Sequence, residues 1–123
     1  MLVKAMQRDM FEDEQSAKFF QVIQMLQRSA LFNMGHFEDQ EGKIHFNLGE
    51  AKEAIDVIKA IEAKTKGNLS DRESQILSGI LSELQMRFVH APARQRKIED
   101  ELAQSEQIRQ SFESPSDSPK EEL

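Results

Sequence analysis

Apolar residues along this chain recur at helical spacing rather than in strand-like alternation. From about Gln15 to Met34 they include Phe19, Phe20, Val22, Ile23, Met25, Leu26, Ala30, Leu31 and Phe32. At about 100° per residue these positions spread well beyond one stripe and leave a narrow wet edge at Gln21, Gln24, Gln27 and Arg28. A helix of this kind needs cover on more than one side. Gly35 follows it where a helix takes its left-handed terminating residue.

The next segment, "GHFEDQEGKIHF", breaks the helical period and carries a turn signal at Asp39 to Gly42. Phe37 before the turn and Ile44 and Phe46 after it predict either a short ribbon or an ordered loop. Asn47 with Glu50 three residues on has capping-box spacing and opens a second helix from Leu48 to about Lys66. Its seam is Leu48, Ala51, Ile55, Ile58 and Ile61.

"KTKGNLSDRE", Lys64 to Glu73, then raises the question of a phosphate site. Each residue type in it is accounted for by a corner between helices. Gly67 suits positive φ, Lys64 and Lys66 suit the carbonyl end of a helix, and Ser70 with Glu73 forms a second capping box. The order of glycine and lysine does not match a phosphate loop, which needs a preceding strand and a lysine at the start of the following helix. Lys64, Lys66 and Asn68 remain candidates for partner contact.

The third helix, Asp71 to about Val89, aligns Ile76, Leu77, Ile80, Leu81, Leu84 and Phe88, and Pro92 is expected to end or kink it. Beyond it lies a charged, helix-prone stretch with a thin seam of Ile98, Leu102, Ile108 and Phe112, interrupted by Ser105. The tail "ESPSDSPKEEL" has almost nothing to bury and reads as disordered. The pattern thus predicts an all-α fold: a three-helix core of helical hairpins, completed by homodimerisation, with a weaker C-terminal helix and a disordered tail. The divisions expected are an N-terminal arm over 1–14, a helical domain over 15–91, a charged C-terminal helix over 92–112 and an acidic tail over 113–123. In the arm, Leu2, Val3, Met6, Met10 and Phe11 suggest a short amphipathic docking segment or a floppy terminus.

Composition narrows the function classes. A chain of 123 residues holds a modest core and no deep cleft, and having no cysteine it has no thiolate nucleophile, disulfide framework or cysteine-held zinc. No apolar run reaches the roughly 18 residues of a membrane span or the roughly 7 of a signal sequence, so a soluble cytoplasmic protein without membrane partners is expected. The net charge of −6 argues against a surface that is nucleic-acid-binding as a whole.

One local exception stands between Glu83 and Glu99, where no acid occurs and Arg87, His90, Arg94, Arg96 and Lys97 accumulate. That segment, 87–97, supports an alternative reading as a nucleic-acid- or ribosome-associated factor, although no aromatic side chain between Val89 and Phe112 offers a stacking surface. A more distant alternative is a metal or enzyme site in the 36–45 loop, where His36, Glu38, Asp39, Glu41 and His45 would converge if the loop folds back. Two histidines nine positions apart form no recognised ligand spacing, so no metal, cofactor or catalytic residue is expected.

The stretch from Phe19 to Val89 resembles the bacterial family catalogued as domain of unknown function 1844. The residues that carry the resemblance are "LFNMG", the acidic loop reaching "NLGEAKEAIDVIKAIEAKTKGNLS", and "ILSGILSELQMRFV", with the "KTKGNL" corner the most specific. Gln85 stands where relatives place a basic residue, and the loop lacks a proline often found there. The resemblance implies a small all-helical domain and brings no activity and no catalytic residue with it.

The leading expectation is a non-catalytic homo-oligomeric interaction or scaffold module, most simply a homodimer, with a protein partner also open. Three helices of one chain do not readily cover so broad an apolar first helix, and small domains gain stability by association. Phe19, Ile23, Leu26, Ala30 and Ile80 are the candidates for the shared core.

Overall fold

The computed structural model describes residues 13–113. The order is helix α1 (Glu14–Asn33), strands β1 (Met34–Glu38) and β2 (Ile44–Phe46), helix α2 (Leu48–Lys64) and helix α3 (Asp71–Glu113). The fold is mostly helical with three helices, as expected, and the ribbon allowed by Phe37, Ile44 and Phe46 forms a small two-stranded antiparallel sheet, so the class is not purely α. The N-terminal arm through residue 12 and the tail from residue 114 lie outside the described residues.

Each helix starts where its side chains can satisfy the free amides of the first turn. Asp13 caps α1 by accepting from the Ser16 N–H at 2.7 Å, and this bond holds its carboxyl below the usual carboxylate range. Asn47 caps α2 by accepting from the Glu50 N–H at 3.1 Å. Ser70 and Glu73 complete a reciprocal capping box at α3, Ser70 N–H to Glu73 Oε1 at 2.7 Å and Glu73 N–H to Ser70 Oγ at 3.1 Å. At its other end α2 stops at Lys64, because the Thr65 hydroxyl turns back to the Ile61 carbonyl at 2.8 Å and the Asn68 N–H closes a turn on Thr65 at 2.9 Å. Lys66 thus lies past the helix rather than in its last turn.

The hairpin pairs Met34 with Phe46 and Glu38 with Ile44, and the ladder is irregular between these pairs. Gly35 sits in the irregular stretch with φ of +80°, and the Phe46 ring lies so close that a Cβ there would come within 2.4 Å of it. The turn is built on Asp39. Its Oδ1 accepts from the Glu41 and Lys43 N–H groups at 2.8 and 2.9 Å.

The chain divides into two compact units at Ala91 and Pro92. In the first, α1 and α2 run in opposite directions, since Asn47 at the start of α2 donates to Asn33 at the end of α1. The start of α3 returns beside the start of α1, where Ser16 donates to Glu73. The core comprises Phe20, Ile23, Ala30 and Met34, Ala51, Ala54, Ile55 and Ile58, and Leu77, Leu81, Leu84 and Ala91. On α1 its centre falls on Ser16, Phe20, Ile23 and Ala30, which recur in steps of four, three and seven.

The second unit is the remainder of α3, and every residue from Glu99 to Glu113 is exposed. Of the two outcomes expected at Pro92, an end or a kink, the helix does not end there. The proline's fixed φ is compatible with a helix, so the turn continues at the loss of one backbone bond. Residues 92–112 are thus a continuation of α3 and not a separate helix.

Candidate functional site

The outer side of α1 carries apolar residues that the fold leaves exposed. Sequence spacing left only glutamines and Arg28 on its wet edge, yet the structure also leaves Val22 50% and Met25 68% exposed. Val22, Met25, Ser29 and Phe32 recur in steps of three, four and three, forming a second stripe turned away from the core stripe. Phe37, from β1, is 45% exposed and lines a groove of about 460 Å³ with Met25, Arg28, Ser29 and Phe32. Phe32 in turn stacks on the His45 ring at 5.2 Å between centroids. A mainly apolar groove with one guanidinium at its rim can bind another apolar surface. It holds no nucleophile paired with a base.

The candidates for a shared core separate by burial. Ile23 and Ala30 are wholly buried within the chain itself. Phe19, Leu26 and Ile80 are half-buried at the margin of the core. Val22, Met25 and Phe37 were not singled out. For Val22 and Met25 the signal is the second stripe in α1, offset from the first and interrupted only by Ser29; Phe37 joins it only through the position of β1.

The corner residues do not assemble into one site. Lys64, Lys66 and Asn68 are all exposed. Lys66 lines a groove with Glu62, Leu69 and Ser78, where the Ser78 hydroxyl donates to Glu62 at 2.8 Å. Asn68 lines a different groove with Asp13, Ser16 and Glu73, whose two carboxylates make it a poor phosphate seat.

The basic segment is also divided. By helical spacing Arg87, His90, Arg94 and Lys97 share one side of α3 and Arg96 falls away from it. Arg87 is already engaged by Glu83 at 2.9 Å.

In the 36–45 loop, His45 Nε2 lies 2.6 Å from Asp39 Oδ2. That bond to His45, followed by the bond from the Lys43 N–H, lowers the Asp39 carboxyl to about 2. Among the described residues no three His, Asp or Glu side chains are gathered to hold a metal ion. The loop's polar groups instead serve to close the turn. Among the same residues no helix is long and apolar enough to cross a membrane.

No curated protein and no solved structure matches this chain. The sequence profile of the family described as domain of unknown function (DUF1844) does match, over residues 16–90, from the buried serine of α1 to the last turn of the first unit; the chain belongs to that family.

Proposed function

We propose that this protein is a self-associating interaction module without catalytic activity, and that the outer face of α1 is its association surface. The observation that supports this most directly is the exposure of Met25 and Phe37 around one groove, with Val22 exposed on the same stripe, on a helix whose other side is already packed. Contiguous apolar surface on a small domain marks a site of association, and covering it adds stability that a modest core does not provide alone. The half-buried Phe19 and Leu26 lie between the core and this outer stripe and would extend the shared surface.

Light scattering of the purified chain tests the reading. A mass of at least twice the 14.2 kDa monomer is expected. Met25→Asp should reduce it to the monomer while the helical circular dichroism persists, whereas Ile23→Asp, inside the core, should unfold the chain. A wild-type chain that stays monomeric at tens of micromolar would rule the proposal out.

A second reading, nucleic-acid or ribosome association, draws on the side shared by Arg87, His90, Arg94 and Lys97. It ranks lower because Glu83 already neutralises Arg87 and Arg96 lies off that side. Absorbance at 260 nm co-eluting with the protein and removed by salt would favour it.

A further inference from the structure

Among the described residues, two exposed apolar stripes are complementary. The first is the outer stripe of α1, Val22, Met25, Ser29 and Phe32, whose three-four-three spacing is that of a seam between paired helices. From Gln15 to Phe37 there is no acidic residue, and Lys18 and Arg28 flank the stripe. On a chain of net charge −6 this is an acid-free, cationic surface.

The second is the end of α3. Ile98, Leu102, Ser105, Arg109 and Phe112 follow in steps of four, three, four and three, again the spacing of a seam. Leu102 is 61% and Phe112 79% exposed. Residues 98–113 carry five acids, Glu99, Asp100, Glu101, Glu106 and Glu113, against the single cation Arg109, which Glu106 and Glu113 both engage. From Glu99 to Glu113 every residue is exposed, so this part of α3 draws little support from packing against the described residues.

Resting on the self-association reading above, we infer that residues 98–113 of one copy lie along the outer face of α1 of a second copy. Each copy then gives one helix and receives one, which closes a two-fold pair. Charge decides between this and direct pairing of α1 with α1. Direct pairing would bring two cationic, acid-free faces together, whereas the exchange sets Lys18 and Arg28 against an excess of four negative charges. Both seams carry a serine near the middle, Ser29 and Ser105, where close approach of the two backbones is sterically open.

The absence of cysteine makes the test clean. Full-length S29C and S105C chains are prepared separately, unfolded, mixed, refolded together and treated with a short bismaleimide whose reach spans about one helical turn. The expected product is the mixed S29C with S105C dimer, about tenfold over either symmetric dimer, because seam contact raises the local thiol concentration for that pair alone. Predominance of the S29C homodimer, a statistical mixture of the three products, or no crosslink at all would each overturn the exchange. The wild-type mass separates the two levels of the argument: a dimer that crosslinks through S29C alone refutes only the exchange, and a monomer refutes self-association with it.

Discussion

The Ser16 hydroxyl, in the first turn of α1, donates to Oε2 of Glu73, in the first turn of α3, 57 positions later in the chain. Glu73 uses its other oxygen for the Ser70 N–H, so one carboxylate both caps its own helix and fixes the start of another. Ser16 is itself buried, and its N–H is taken by Asp13. Glu73→Ala is expected to lose about 1–2 kcal/mol, the range of a helix cap, and Ser16→Ala about 1 kcal/mol. Urea unfolding of both variants and of the double variant measures this. Losses that simply add would show that the two residues are not coupled.

The pH response of that link has a definite sign. The Ser16 hydroxyl first, then the Ser70 N–H, lowers the Glu73 carboxyl below its ordinary range. A carboxyl that gives up its proton more readily in the folded chain adds stability above its unfolded pKa and loses it as pH falls through the folded one. The same holds for Asp39, lowered from 3.8 to about 2 by its bond to His45 and by the Lys43 N–H. Slow hydrogen exchange at the Glu41 and Lys43 amides should therefore survive down to about pH 4 and fade as the pH drops toward 2. Asp39→Asn should remove that titration, and an unchanged profile in the variant would assign the loss to other groups.

Two glycines with positive φ are expected to respond differently to alanine. At Gly67, φ is +90° and nothing stands within 4 Å of an added Cβ, so Gly67→Ala bears only the left-handed backbone strain of about 1–2 kcal/mol. At Gly35 the same strain is joined by the Phe46 ring at 2.4 Å. Gly35→Ala should lose roughly 3 kcal/mol or more and release the hairpin, since overpacking adds to the backbone term. Thermal melts of the two variants decide it, and equal destabilisation would mean that the Phe46 ring simply moves aside.

Pro92 offers a change in the opposite direction. Its ring removes the amide that would bond the Phe88 carbonyl, in the middle of a helix running from Asp71 to Glu113. Pro92→Ala should deepen the helical circular dichroism signal and raise stability by up to about 3 kcal/mol. A neutral or destabilised variant would indicate that the proline is fitted to its position.

Much of this architecture could be read from local spacing. The caps at Asn47 and Ser70, the turn at Asp39 and the positive φ of Gly35 and Gly67 depend on atoms within four residues of one another, and such interactions are written directly in the order of side chains. The helical stripes of α1, α2 and α3 follow from the same periodicity. The strands were only half visible: Phe37, Ile44 and Phe46 marked the positions, but the irregular pairing and the ring of Phe46 over Gly35 required the two segments to meet. Pro92 allowed either an end or a kink, because a proline lowers the odds of a helix locally, and only the helical turns that follow exclude the end.

What the order of residues determined by itself was that α1 carries more apolar surface than a single neighbour can cover. Which part stays uncovered was decided only by where α2 and α3 pack. They enclose Ile23 and Ala30 and leave Val22 and Met25 in water, because burial is shared among segments far apart in the chain and no single segment encodes it. The same holds for Ser16 and Glu73, each an ordinary helix-start residue until the two helix starts meet at one end of the bundle.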